Sequence, residues 1–273
     1  MVSRRLLLGA LVGLAAPAMA FAEGDGPAPS LLTKKGRRTR SALKHQATDK
    51  AALDKALAEV KPLEAQPAVH APAAAPAVTP DEALGRLKHG NAIYARGGAN
   101  LMLPTTARIA ELSQGQHPFA VVIGCADSRT APELVFDCNM GELFVVRVAG
   151  STVGREGLGS ILYAVEHLGA PLIVVLGHTK CGAVGAAVDV AKKHADLHGA
   201  LQEMVLPIIP AVLEADETHP ADLQDAAIRR NVRDIAGRLK RADEVLTERI
   251  ADGRLKVVSA CYDLGTGVVS FDA

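Results

Sequence analysis

The sequence predicts an α/β fold with a mainly parallel central sheet flanked by helices. Three observations carry this. Two short apolar runs, residues 119–124 and 171–177, are rich in Val and Ile and stop at Gly, as buried parallel strands do. A third run, 143–148, leads into Ala149-Gly150. Between these runs lie stretches with helical spacing of apolar residues, and strands alternating with helices give a parallel sheet covered on both faces.

Taken in order, residues 1–22 read as a signal peptide. Ser3-Arg4-Arg5-Leu6-Leu7-Leu8 opens a charged segment and then an apolar one, and Ala18-Met19-Ala20 or Ala20-Phe21-Ala22 offers a small-x-small cleavage site. The adjacent arginines point to twin-arginine export, hence a periplasmic or otherwise exported protein, with an ordinary secretory signal as the alternative. The apolar stretch is short for a membrane anchor, and no later stretch is long enough to give a stable membrane span.

Residues 23–79 read as a basic, Ala/Pro-rich tether without a fold of its own. The run Lys34-Lys35-Gly36-Arg37-Arg38-Thr39-Arg40 is a solvated charge stretch, with weak contact to an anionic surface as the alternative. Residues 48–61 have Leu53, Leu57 and Val60 on one helical face. Beyond them, repeated Pro makes 62–80 an extended linker.

Residues 80–273 carry the remaining elements. Thr79, Pro80 and Glu82 form a helix start with a capping box, and the helix is expected to run to Gly90-Asn91. A second helix is expected to close at Gly115. The first Gly-stopped strand is followed by a helix or turn at 131–138, and the strand at 143–148 by a helix from Ser160 to Leu168. A helix opens at Gly182 after the second Gly-stopped strand. Residues 200–250 are largely helical, broken at Pro207, Pro210 and Pro220. Two last strands, 255–262 and 268–271, flank a turn at Gly265-Thr266-Gly267.

Lys plus Arg equals Asp plus Glu, 30 against 30. That balance excludes the basic field of a nucleic-acid-binding protein. Aromatics make up 3 % and Trp is absent, so the core rests on Val, Leu, Ile and Ala. Four cysteines are present, and the pairing state of Cys138 and Cys261 stays open at this level.

The chemistry follows from how the two Gly-stopped strands end. Gly124 runs into Cys125-Ala126-Asp127-Ser128-Arg129, and Gly177 into His178-Thr179-Lys180-Cys181. Sites in open α/β sheets form just past the carboxyl ends of strands. Neighbouring strands would bring Cys125, His178 and Cys181 to one point, as two thiolates and an imidazole for Zn²⁺ with a fourth position left over. Asp127 is the nearby oxygen donor for that position. Arg129, two residues on, can hold its carboxylate off the metal so that water enters.

These motifs resemble the β-class carbonic anhydrases. The likeness extends through Asp81-Glu82-Ala83-Leu84, the stretch from Gly141 to Gly150, Gly159 to Val165, Asn231-Val232-Arg233 and Tyr262-Asp263-Leu264-Gly265-Thr266-Gly267, covering roughly residues 80–273. The resemblance implies Zn²⁺ on Cys125, His178 and Cys181, with the fourth place shared between Asp127 and water. It implies reversible hydration of CO₂ to bicarbonate and a proton by a zinc-bound hydroxide, in a homodimer or higher homo-oligomer with each site near a subunit interface. Gln116, Phe144 and Tyr163 match the substrate pocket of the plant-like subgroup. The missing Trp argues against the inhibitory bicarbonate site of a second subgroup.

Two departures stand out, and one is that the tether at 23–79 has no counterpart in the shared motifs. Ser151 occupies a position where the family commonly has Asn, so the hydrogen bonds of that loop are expected to differ. His117, His167, His194 and His198 are candidates for carrying the proton to solvent. Two other readings share the fold: a zinc hydrolase acting on CS₂ or COS, and a non-catalytic zinc-binding protein. The Asp127–Arg129 pair argues against the latter, because a scaffold needs no exchangeable ligand.

Overall fold

A computed structural model gives the fold of residues 78–272. The expected signal peptide (1–22) and most of the expected tether (23–79), with the basic run and the helix expected at 48–61, lie outside the described residues. Five strands, β1 (Ala120–Gly124), β2 (Leu143–Arg147), β3 (Leu172–His178), β4 (Lys256–Tyr262) and β5 (Val269–Phe271), form one sheet in the order β2-β1-β3-β4-β5. All neighbours are parallel except β4 and β5, so the sheet is mainly parallel with one antiparallel edge. β1 and β3 are buried along their whole length, which is why they read as unbroken apolar runs.

The nine helices of the described residues are α1 (Pro80–Tyr94), α2 (Thr106–Leu112), α3 (Pro132–Val135), α4 (Arg155–Glu166), α5 (Gly182–Lys193), α6 (Gly199–Val205), α7 (Ile209–Asp216), α8 (Leu223–Leu239) and α9 (Glu244–Ala251). On one face of the sheet Val121, Ile123, Ile173 and Val175 pack under Ile161 and Val165 of α4, Ile235 and Leu239 of α8, and Leu246 of α9. On the other, Val122, Val174 and Leu176 meet Ala83 and Leu87 of α1, with Phe136. A third cluster joins α5, α7 and α8 to Cys125, Cys181 and Cys261 at the carboxyl end of the strands. None of the described helices is long and apolar enough to cross a membrane.

The helix start at Thr79 has the expected reciprocal box: the Glu82 amide donates to Thr79 Oγ1 at 3.2 Å, and the Thr79 amide to Glu82 Oε2 at 2.8 Å. The helix does not stop at Gly90-Asn91 but continues to Tyr94. Gly90 is there for space, since a Cβ would sit 1.8 Å from the Phe136 carbonyl oxygen. Asn91 is buried and bonds away from its own helix. Its Nδ2 donates to Val135 O at 3.1 Å and Gly267 O at 2.9 Å, and its Oδ1 accepts from the Val269 amide at 2.8 Å.

Other boundaries shift for local reasons. α2 ends at Leu112 rather than near Gly115, where Ser113 turns its hydroxyl back to Ala110 O. The 131–138 stretch holds a single helical turn, α3. α4 begins at Arg155, five residues before Ser160, behind an N-cap glycine that offers no side-chain acceptor. All four cysteines are free and buried. Cys138 and Cys261 lie in different core clusters, so they do not pair.

Candidate metal centre

Past the paired residues Ile123 and Val175, β1 delivers Cys125 and β3 delivers His178. His178 is the last residue of β3 itself, rather than a loop residue, and Cys181 is the N-cap of α5. Lys180 between them takes φ 57, a left-handed kink that turns the chain from strand into helix within three residues. The ligand atoms of Cys125, His178 and Cys181 all lie within 4.8 Å of one another, and all three residues are buried.

Gly177, just before His178, lies under α8: a Cβ would stand 2.8 Å from Val232 Cγ1 and 3.2 Å from Ile228 Cγ2. The helix therefore rests directly on the strand end that presents the imidazole. His178 Nδ1 lies 3.0 Å from Thr179 O. That contact assigns the proton to Nδ1 and leaves the Nε2 lone pair facing the cluster. Nε2 is the one buried polar side-chain atom among the described residues with no hydrogen-bond partner. An orphan acceptor beside two thiols fits a borderline-soft divalent ion, and zinc suits this donor set.

The two thiols are 4.0 Å apart. The Cys181 thiol hydrogen-bonded to Cys125 is the main cause drawing Cys125 down to about 4, and the same contact holds Cys181 above its ordinary value. The Asp127 and Gly150 amides also donate to Cys125 Sγ, at 3.4 and 3.3 Å. Cys125 is thus prepared as a thiolate.

Asp127 lies at the rim of the cluster. Arg129 grips it with Nε to Oδ1 at 2.9 Å and Nη2 to Oδ2 at 2.7 Å, and the Arg129 amide adds a third bond to Oδ1 at 3.0 Å. This hydrogen bonding from Arg129 holds the Asp127 carboxyl well below the usual carboxylate range, against the desolvation that would raise it. The carboxylate is therefore ionised, fixed, and next to the cluster without being one of its three members.

The loop is stapled from outside. Arg147, the charged end of β2, donates to Cys125 O at 2.9 Å and Asp127 O at 2.7 Å. Thr130 Oγ1 donates to the same two carbonyls. Gln224 Nε2 donates to Cys181 O at 2.9 Å. Sequence reasoning missed these supports. The available signal was Arg147, a lone charge closing an apolar strand beside the first ligand strand.

Ser151 adopts φ 56, a left-handed conformation that Asn tolerates better than Ser. Its hydroxyl donates to Leu176 O at 2.7 Å, so the expected change in loop bonding takes the form of a tie to β3.

The chain does not bring the other expected residues to this cluster. Gln116 is exposed, ahead of β1 at the end of the sheet opposite the ligands. Phe144 and Tyr163 face each other with ring centroids 6.3 Å apart, and Phe144 pairs with Val121, four residues before Cys125. His117 also precedes β1, His167 and His194 cap the far ends of α4 and α5, and His198 caps α6.

Residues 120–269 match the family model described as carbonic anhydrase. The chain is 38 % identical over 192 residues to Carbonic anhydrase 2 of Mycobacterium tuberculosis, covering 70 % of this chain and 92 % of that one. It is 36 % identical over 194 residues to the carbonic anhydrase of Mycolicibacterium smegmatis, covering 71 % and 94 %. Among solved structures it resembles a tetrameric β-carbonic anhydrase of Sordaria macrospora, with TM-score 0.53 and 26 % identity over 60 % of this chain and 84 % of that one. It also resembles the Coccomyxa β-carbonic anhydrase bound to acetazolamide, with TM-score 0.51 and 27 % identity over 59 % and 74 %.

Proposed function

The chain belongs to the β-class carbonic anhydrase family, and from that membership we propose how its own residues carry the reversible hydration of CO₂ to bicarbonate and a proton. The observation that carries the reading is the convergence of Cys125, His178 and Cys181 with an ionised Asp127 clamped beside them. Those three residues would hold Zn²⁺. Held there, zinc supplies the Lewis acidity that brings the pKa of water toward neutrality.

The remaining work falls to the chain. Asp127 accepts a hydrogen bond from the attacking water and turns a lone pair of that water toward CO₂. Arg129 keeps Asp127 at that station and away from the metal. Arg147 and Thr130 hold the backbone that carries both.

Gln116, Phe144 and Tyr163 belong to the substrate pocket of the plant-like subgroup, contributed across a subunit boundary. Their placement supports this: Tyr163 is 37 % exposed, and Phe144 lies on β2, the open edge of the sheet. The chain accordingly works as a homodimer or higher homo-oligomer, as the tetrameric Sordaria relative does. The arginine pair at residues 4 and 5 supports export by the twin-arginine route, which carries folded, metal-loaded proteins.

The deciding experiment measures zinc content and CO₂ hydration on one purified sample of the wild type and of Cys181→Ser. Near-stoichiometric zinc with turnover in the former and little of either in the latter is the expected pattern. Full zinc and activity in Cys181→Ser would remove the assignment.

A further inference from the structure

The 3₁₀ turn Ala149–Ser151 follows β2 and touches both ligand-bearing strand ends, the Cys125 side through Gly150 and β3 through Ser151. Its middle residue, Gly150, is buried and takes φ 71. On one side its amide donates to Cys125 Sγ at 3.3 Å. On the other its carbonyl accepts from Asn231 Nδ2 at 2.9 Å. Ile208 closes the space beneath, where a Cβ on Gly150 would stand 2.6 Å from Ile208 Cδ1. The left-handed φ favours glycine here, and glycine has the freest backbone of any residue. Something has to stop it rotating, and the polar side chain that does so is Asn231.

Asn231 is 3 % exposed and sits on α8, next to Val232 and three residues after Ile228. Those two neighbours are the ones packed on Gly177. The same stretch of α8 therefore sets the strand end that presents His178 and, through Asn231, the amide that meets Cys125. A buried amide with such a partner is costly to leave unpaired, so the arrangement is fixed by energy as well as by shape.

Resting on the metal-centre reading above, we propose that Asn231 is a positioning residue for that centre. By holding the Gly150 carbonyl it fixes the amide that donates to Cys125 Sγ, and so sets how much charge this thiolate gives to the ion. An N–H···S bond draws density off the sulfur. Losing it leaves the thiolate richer and the ion a weaker Lewis acid, an outer-shell effect of the kind that changes metal affinity about 10- to 100-fold.

The test needs no turnover. In wild-type protein loaded with ¹¹³Cd, the Gly150 amide proton should show scalar coupling to the metal through the N–H···S bond. In Asn231→Leu, which keeps the size of the side chain and removes its donor, that coupling should shrink or vanish. The thiolate-to-cobalt charge-transfer band of the Co²⁺ form should move to lower energy. A role in folding alone would lower the melting temperature and leave the coupling and the band unchanged, which overturns the proposal. Should Asn231→Leu fail to fold, the wild-type cadmium spectrum decides, because absence of coupling at Gly150 overturns it as well. Failure of Cd²⁺ to bind at Cys125 and Cys181 would instead remove the metal-centre reading on which it rests.

Discussion

Asp127 Oδ2 stands 3.9 Å from His178 Nε2, a little beyond hydrogen-bonding reach, and the guanidinium of Arg129 keeps it there. A carboxylate this close to three metal-ligating atoms would otherwise be a natural fourth ligand. The Arg129 side chain is 54 % exposed, so its value to the protein lies in where it puts Asp127 rather than in stability.

Arg129→Ala should therefore separate metal binding from turnover. Zinc content should stay near that of the wild type, while CO₂ hydration falls by about 10²-fold or more, as when a preorganised group is lost from a reacting centre. Asp127 is held far below neutrality, so the pH dependence of the wild type between 6 and 9 should not follow this carboxyl. Full turnover with full zinc in the variant would show that the pair is a surface contact only.

Gly177→Ala tests the seat of α8 on β3. The added methyl meets Val232 and Ile228 at 2.8 and 3.2 Å, and overpacking of this kind costs about 1–3 kcal/mol. Thermal denaturation followed by circular dichroism should show a melting temperature lower by several degrees. Because His178 is the next residue, metal should also be lost more readily to a chelator. An unchanged melting curve would mean that α8 yields freely at this point.

Thiol labelling tests the four cysteines together. Burial pushes Cys138 up to about 12 and Cys261 up to about 11. A raised thiol keeps its proton below that value, so at pH 8 both should be inert in the native protein, with reactivity rising only as pH climbs toward 11. Metal should cover Cys125 and Cys181. Chelation should expose Cys125 first, the thiol drawn down to about 4. A reductant should leave the melting temperature unchanged, since all four thiols are free. Fast labelling of Cys138 in the loaded native protein would contradict this burial.

Export is tested at the first residues of the chain. Arg4→Lys combined with Arg5→Lys should leave full-length protein in the cytoplasm with its metal bound. Undiminished export of that double variant would assign the general secretory route instead.

What the sequence disclosed follows from how far each signal reaches along the chain. β1 and β3 are buried on both faces, so continuous apolar runs announce them, and Gly124 and Gly177 mark where their ligands begin. Thr79 and Glu82 announce α1 because a capping box spans only four residues. Gly90 misleads as a stop signal because its reason is the Phe136 carbonyl, 46 positions away. The start of α4 is hidden because Gly154, Gly157 and Gly159 weaken helical propensity where packing on the sheet decides. The bond from Asn231 to Gly150 joins residues 81 positions apart, beyond any local pattern. Gln116, Phe144 and Tyr163 could be matched by type, but spacing alone gives no account of which site they serve.

The three bonds of Asn91 also bear on how the protein is made. The first helix of the described residues is tied to Gly267 and Val269, residues translated more than 170 codons later. Until that last segment leaves the ribosome, α1 has a polar amide with two of its three bonds missing and no β5 behind it. The domain therefore cannot close vectorially from its amino end. Its final hydrogen bonds form only after synthesis is nearly complete, and a nascent chain stalled before Val269 should remain sensitive to protease at α1.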